Sequence, residues 1–580
     1  MITTTLFRRI PNSRACIPQR CVRNQLGSNQ VRRHTSSSWA NRTEEIKSGR
    51  EQSMLAILEE RGFVKDVAGG RKALDWLLTE KPIGAYVGVD PTAPSLHVGH
   101  LLPLMALYWM YLHGFYAVTL LGNGTVKIGD PSGRTTARSR QSEEIHRLNI
   151  ASIHTQLKQL WVHVNALGAK HRPATEVVRR KDILTNDTWL SKLSAVDLMR
   201  GLGSGMRLGT MLNRDSVKMR MENGDGMAIS EFSYPLFQGY DWWHMYANNG
   251  VQMQLGGSDQ YGNICAGMDA IGHMRSITYE DTHSTREDDL LKGAFGLTTP
   301  LLTTASGEKF GKSAGNAVWL DKDMLSSFDL YQYFLRTADD DVERYLKLFT
   351  FIPVDSISAV MSQQTRDASR RLAQHLLAKE VVELAHGAAA ARQAEISHKE
   401  TFSHGTNVFS LGALRHALNG AANFMTTMPK STNKQSPEKD SLEQSILKYK
   451  KEYASTPTSS NSTASVDSSK EDRSTDNYIT LPKSLLSPGS FPQVLHAAGL
   501  VSSKSEGHRL IKSKGAYVVQ PNSGSPGDPY ALKWVAIRDN VPSTDPNHYL
   551  IDYEALVLRS GKSKVQICRI VDDDQSAPKA

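Results

Sequence analysis

The chain has 580 residues, 39% of them hydrophobic, and a formal net charge of +9, so more than one domain with sizeable cores is expected. Four cysteines, none in Cys-x-x-Cys spacing, exclude a disulfide framework and argue against structural zinc. The basic balance suits a polyanionic partner such as nucleic acid, although a basic leader would supply part of it.

In chain order, the first 43 residues contain no Asp or Glu but hold Arg8, Arg9, Arg14, Arg20, Arg23, Arg32, Arg33 and Arg42. That composition is expected of a mitochondrial presequence, residues 1–38, with the mature chain beginning near Thr35 to Trp39 in the matrix. A helical segment, 39–80, follows. From Lys81 to about Leu320, strands alternate with glycine-rich turns and helices. This predicts an α/β fold, a Rossmann-like parallel sheet with helices on both faces, over 81–325. The run Leu101–Gly122 is long enough to suggest a membrane span. Pro103, His113 and Gly114 divide it, and it reads as a buried helix stopped at Gly114 and then a buried strand, with no membrane partner. Residues 326–426 read as a helical domain. The Ser-, Thr-, Asn- and Lys-rich stretch 427–478 reads as a disordered linker with a reach of roughly 40 Å. A compact basic α+β module occupies 479–580. No internal repeat is present.

Two tracts carry chemistry. In "HVGH", His97 and His100 are three apart at the start of the apolar helix and share a face. A helix start presents free N–H groups and a positive dipole end, so it suits phosphate, and Gly99 allows close approach of a nucleotide. A metal pair would need a third ligand, and none stands at recognisable spacing. Two satisfied structural histidines are the ordinary alternative. In "GEKFGKSAGN", the Gly-Lys-Ser tail resembles a P-loop, but that motif needs glycine at 306, which is Ser306. What remains is a glycine-rich loop whose Lys309 and Lys312 can close over a triphosphate, or an ordinary solvated basic loop. In "YPLFQGYD", Tyr234, Gln238 and Asp241 at i, i+4 and i+7 share a helix face that could line a polar pocket or simply be a satisfied structural face.

"HVGH" resembles the HIGH signature of class I aminoacyl-tRNA synthetases, and "KFGKS" resembles their KMSKS signature. "YVGVDPTAPSLHVGH", "GDPSGR", "SYPLFQGYD", "QLGGSDQYGN" and "KFGKSAGNAVWLD" are similar to the tyrosyl members, from about Met54 to Gly405. The resemblance implies that Tyr86 and Asp241 bind a tyrosine hydroxyl. It puts Asp130, Tyr234 and Gln238 at the ammonium, and Gln260 near the carboxylate. Gly88, Asp90, Gly99, Gly257, Asp259 and Lys312 would border ATP, with Asp259 on the ribose. Thr92, His97, His100, Lys309, Lys312, Ser313, Arg134 and Arg138 would stabilise the phosphates in the transition state. Groups that bind a hydroxyl are left unpaired by phenylalanine, so no editing domain is required.

By the same resemblance, the helical domain 326–426 is the anticodon-binding domain, Mg²⁺ accompanies ATP without a dedicated carboxylate cage, the enzyme is a homodimer, and tRNA(Tyr) is the acceptor. The C-terminal "SKSEGHRLIKSKGAYVV" resembles a small RNA-binding fold shared with a ribosomal protein. Its Lys504, Arg509, Lys512 and Lys514 would meet an RNA backbone, the plain alternative being a solvated basic face. Two departures from the family pattern are Arg134, where lysine is common, and the length of the linker. Alternative readings are a tryptophanyl-type ligase and an RNA-binding splicing factor. The latter would take group I intron RNA, a role known among fungal mitochondrial relatives.

Overall fold

The computed structural model describes residues 39–133, 141–171, 179–222, 226–279, 285–303, 312–313, 316–402, 408–410, 442, 444–450, 453, 479–486, 490–520, 531–538, 545–551, 554–561 and 564–572. The presequence reading of 1–38, and Arg134, Arg138 and Lys309, therefore lie outside the described residues.

The first sheet has six strands: β1 (Asp66–Ala68), β2 (Gly84–Val89), β3 (Tyr116–Leu121), β4 (Lys181–Thr185), β5 (Val251–Gly257) and β6 (Phe295–Thr299), in the order β1-β6-β5-β2-β3-β4. Strands β2 to β6 pair in parallel, as expected of strands alternating with helices. The edge strand β1 runs antiparallel to β6. It lies in the 39–80 segment that the sequence reads as wholly helical. Three residues are too short to show a period, and only the partner far along the chain makes them a strand.

Chain order reverses between β2 and β5: from β2 the chain moves outward through β3 and β4, then returns to the other side of β2. In an open parallel sheet the crevice at the carboxyl ends of two such strands is where ligands bind. Alternate residues feed two cores. Ala85, Val87 and Val89 face the larger one, whereas Tyr86, Val118 and Leu120 face a second cluster with Trp242 and Ile264.

The helix Val98–Leu112 is buried around most of its circumference, twelve of its fifteen residues. Pro103 lies inside this helix rather than dividing it. Proline forfeits one bond, to the Gly99 carbonyl, and the burial of the surrounding side chains outweighs that loss. The helix ends at His113, and Gly114 follows with φ +88°. Among the described residues no helix is long and apolar enough to cross a membrane.

Five helices (Ser327–Leu335, Asp339–Phe349, Val354–Arg366, Leu372–His386 and Ala388–Phe402) form the next region. Its core is continuous with that of the sheet. Arg61 fastens the two: its guanidinium donates to the Lys347 and Thr350 carbonyls and lies 3.7 Å over the Trp109 ring. At the other end, Trp39 donates from Nε1 to the Thr79 carbonyl and sets its ring edge-on to Phe115.

The C-terminal module is a second six-stranded sheet, in the order Ile479–Pro482, Lys564–Val571, Ala555–Ser560, Ala516–Gln520, Ala531–Ala536 and Val408–Ser410. The last strand comes from before the linker and adds to Ala531–Ala536 in antiparallel register. The 326–426 region is thus not helical throughout. The stretch 427–478 lies largely outside the described residues, but 444–450 is helical and half-buried to buried along one face, so it is not a uniformly disordered tether.

Candidate active site

The crevice is lined from both sides of the switch point. Tyr86 stands on β2 beneath the helix Ile229–Asn249, and only 1% of its surface is exposed. Its hydroxyl has no hydrogen-bond partner among the described residues. Burial and the neighbouring Asp241 carboxylate push its pKa well up, so it is a phenol. Asp241 is itself buried and accepts from Asn186 Nδ2 at 2.8 Å and Trp189 Nε1 at 2.7 Å. Burial raises its pKa to about 7 against these two donors.

Asn186 extends this network. Its Nδ2 also donates to Thr125 Oγ1 at 3.0 Å, and Thr125 donates to Asp90 at 2.7 Å. Asp90 takes a second donor from Tyr234, 2.8 Å away. Gly122 makes room for this: a Cβ there would stand 1.9 Å from the Asp90 carboxylate. Asp90 and Asp241, one after β2 and one on a helix, therefore share a single hydrogen-bonded chain.

A second polar group closes the other flank. Gln260 Nε2 donates to Asp130 at 2.8 Å. Asn263 Nδ2 faces Ser132 Oγ at 3.0 Å, Gln238 Oε1 at 3.2 Å and Gln260 Oε1 at 3.3 Å. Tyr234, Gln238 and Asp241 do share the inner face of one helix, as their spacing implies. Asp259 lies in the turn Ser258–Gln260 after β5, beside Gly257, where a Cβ would approach its carboxylate to 2.6 Å.

The two histidines cap the helix Val98–Leu112. His97 Nδ1 accepts from the Gly99 N–H, and His100 Nδ1 accepts from the His97 N–H, both at 3.1 Å. With both Nδ1 atoms accepting, a neutral ring carries its proton on Nε2, and each Nε2–H is a donor. Burial and His97 push the His100 pKa well below the usual value, which keeps it neutral. Gly99 serves the cap: a Cβ there would meet the His97 ring at 2.9 Å. Thr92 sits earlier in the same turn, its carbonyl accepting from Gln141 at 3.2 Å.

The segment that follows the loop signature, Val318 to Leu320, is brought to the same corner by backbone pairing. Val98 N–H donates to the Val318 carbonyl, Leu320 N–H donates to the Leu96 carbonyl, and His97 pairs with Trp319. Lys312 and Ser313 form the first strand of a short hairpin with Asn316 and Ala317, directly before this segment. Gly88 is exposed on β2 at the tyrosine side, where an added Cβ would lie 3.9 Å from the Tyr86 ring.

Sequence reasoning missed Asn186, Trp189, Thr125 and Asn263. Asn263 was recoverable, since it lies one helical turn after Gln260 in a tract already singled out. Asn186 and Trp189 follow β4 and reach Asp241 only through the sheet. The four C-terminal cations, Lys504, Arg509, Lys512 and Lys514, are all exposed on or just after the helix Lys504–Lys512.

Comparison with known proteins agrees with this geometry. A family model described as class I tRNA synthetases (W and Y) matches residues 78–403, and one for the tyrosyl-tRNA synthetase C-terminal domain matches 469–579. The mitochondrial tyrosine–tRNA ligase of Podospora anserina is 40% identical over 549 residues, 93% of this chain and 78% of that protein. The human mitochondrial tyrosine–tRNA ligase is 40% identical over 343 residues, 58% of this chain and 68% of that protein. The crystal structure of a C-terminally truncated Coccidioides posadasii mitochondrial tyrosyl-tRNA synthetase superposes with a TM-score of 0.60 at 49% identity. It covers 65% of this chain and all of that one. With catalytic and C-terminal models matched in chain order, the chain belongs to the class I tyrosyl-tRNA synthetases of the mitochondrial type.

Proposed function

We propose that this tyrosine–tRNA ligase selects tyrosine by the unpartnered Tyr86 hydroxyl beside Asp241. That orphan is the observation that carries the reading. A buried hydroxyl without a partner costs free energy unless a ligand supplies one, and a substrate phenol does so while phenylalanine does not. Asp130, Tyr234 and Gln238 hold the ammonium, and Gln260 stands by the carboxylate. The carboxylate attacks the α-phosphate of ATP in line, giving tyrosyl-adenylate and pyrophosphate. Charge building on the pyrophosphate is met by Thr92, by the Nε2–H donors of His97 and His100, and by Lys309, Lys312, Ser313, Arg134 and Arg138. Asp259 takes the ribose, and Gly88, Asp90, Gly99 and Gly257 border the nucleotide. Mg²⁺ enters with ATP as part of the substrate. The 3′-terminal ribose hydroxyl of tRNA(Tyr) then attacks the adenylate carbonyl.

The test is amino-acid-dependent ATP–pyrophosphate exchange with tyrosine, phenylalanine and tryptophan. Tyrosine alone should support it, and a preference for tryptophan would overturn the reading. The setting is the mitochondrial matrix, with cleavage before Trp39, whose indole is part of the fold. A second copy of the chain covers the exposed Val196, Met199, Leu208, Met221 and Ile229, which are 59–84% exposed. Sedimentation should give twice the chain mass. Lys504, Arg509, Lys512 and Lys514 meet the tRNA backbone, and a group I intron RNA would use the same exposed cations. Assaying charging and intron binding separately on variants of these four residues distinguishes the two RNAs.

A further inference from the structure

A helix from inside the polar stretch 427–478 is seated against the phosphate corner. Leu442, Ile446 and Tyr449 fall on one half-buried face of it, at i, i+4 and i+7. Lys450 Nζ lies 2.6 Å from Asp321 Oδ2 and 3.7 Å from Asp323 Oδ2, and the Lys450 and Asp321 side chains are only 11% and 10% exposed. The Tyr453 ring meets Trp319 edge-on with centroids 5.9 Å apart, and Tyr449 packs on Tyr453 at the same distance.

Each contact leads into the catalytic corner. Trp319 is the residue whose backbone pairs with His97, and their rings are 6.0 Å apart. Asp321 holds the turn that follows, accepting from the Asp323 N–H at 2.9 Å, with its carbonyl taking the Met324 and Leu325 N–H groups. On the other flank the Asn149 side chain lies beside the Tyr449 hydroxyl and draws its pKa down against the effect of burial. Asn149 also reaches Gln141, whose amide holds the Thr92 carbonyl. A passive tether needs none of this, and a nearly buried lysine persists only where its carboxylate partner is fixed.

We propose that the helix 444–450, with Leu442 and Tyr453, is an intramolecular brace for the ATP subsite, with Tyr449, Lys450 and Tyr453 as positioning residues. They hold Trp319 and Asp321, and through them His97 and the far end of the glycine-rich loop, in register for tyrosine activation. The proposal rests on the assignment of Thr92 and His97 to the phosphates. The brace acts on ATP rather than on tyrosine, because its contacts lead to the phosphate corner and not to the Tyr86–Asp241 pocket.

The test uses the full chain in ATP–pyrophosphate exchange, with KM for ATP and for tyrosine measured separately and the thermal midpoint recorded. Lys450→Ala and Tyr453→Ala should each lower kcat/KM for ATP about tenfold, short of the roughly hundredfold loss from a misplaced reacting group. KM for tyrosine should stay within about twofold, and Lys450→Arg, which keeps the charge, should recover most of the loss. Unchanged ATP kinetics in both alanine variants would overturn the brace. So would faster exchange, which would mark an inhibitory contact, or equal losses for both substrates with a lowered midpoint, which would mark general destabilisation. His97→Ala runs beside them: if it leaves exchange intact, the phosphate assignment itself fails, whatever the brace variants do.

Discussion

At one end of a single sheet, the Tyr86–Asp241 pocket and the Thr92–His97–His100 corner solve different problems. The pocket is buried, and its polar groups are held by side chains from three separate elements: Asn186 and Trp189 after β4, Thr125 after β3, and Tyr234 from the helix Ile229–Asn249. The corner is made by local chain geometry, two histidines bonding the first backbone N–H groups of one helix. Under the proposed function, selectivity is stored as an unmet hydrogen bond in a desolvated place, and transition-state stabilisation as donors fixed by a cap. The two should fail in different ways when altered.

Breaking the corner should give the largest effect. His100→Ala removes a donor that the proposed mechanism engages as pyrophosphate charge develops. It should lower kcat for tyrosyl-adenylate formation by about 10²–10³-fold, as for other single charge-stabilising donors. Tyrosine affinity, measured by equilibrium titration, should barely change. Lys309→Ala and Lys312→Ala should show the same split, the mark of an interaction made mainly in the transition state. Equal losses in rate and tyrosine affinity would erase the distinction between corner and pocket.

Altering the pocket should give a smaller and opposite pattern. Tyr86→Phe removes a hydroxyl that has no partner among the described residues. Tyrosine-over-phenylalanine discrimination in pyrophosphate exchange should fall about 10–100-fold, the worth of about 1–3 kcal/mol. The unliganded protein should be no less stable, since a buried unsatisfied group is lost. A drop in thermal midpoint without loss of discrimination would show that Tyr86 is a packing residue.

Much of this contrast is legible in the amino-acid sequence. The strand–helix alternation, the two signatures and the Tyr234–Gln238–Asp241 face each depend on local period or spacing, which a sequence displays directly. The features that are not legible depend on contacts between distant segments. Val408–Ser410 is a three-residue strand whose partner begins at Ala531. Asn186 and Trp189 reach Asp241 across the sheet. The 444–450 helix is hidden by averaging: Leu442, Ile446, Tyr449 and Tyr453 follow helical spacing inside a stretch whose mean composition is polar. Its neighbour Lys450 becomes informative only opposite Asp321.

Acidity sharpens the pocket further. Asp241 is held near pKa 7 in the folded chain, first by burial and then by Asp90, while an unfolded aspartate titrates near 4. The folded state therefore keeps a proton that the unfolded state releases between these values, and this contribution to stability is lost as pH rises from about 4 to 7. Asp241→Asn cannot titrate. Whatever mismatch the amide makes with the Asn186 and Trp189 donors is the same at every pH. The thermal midpoint of Asp241→Asn relative to wild type should therefore improve by a few degrees between pH 5 and pH 8.5, where about 1 kcal/mol moves a domain midpoint by roughly 2–4 °C. A flat difference would show that Asp241 is ionised throughout and that its two donors, not burial, set its state.

The smallest effects are expected where charge faces solvent. Lys504, Arg509, Lys512 and Lys514 are exposed, unlike any group in the pocket, so the interaction with an RNA backbone proposed for them would be screened by salt and owe little to geometry. If they neutralise phosphates, Lys512→Ala should weaken tRNA binding modestly at low salt. It should also reduce the slope of log affinity against log salt by about 1 unit. Pyrophosphate exchange without tRNA should be untouched, because the substitution lies outside the crevice. A lower affinity with an unchanged salt slope would mean that Lys512 acts through local shape. The C-terminal surface would then follow the logic of the pocket, a fixed contact rather than a released counterion.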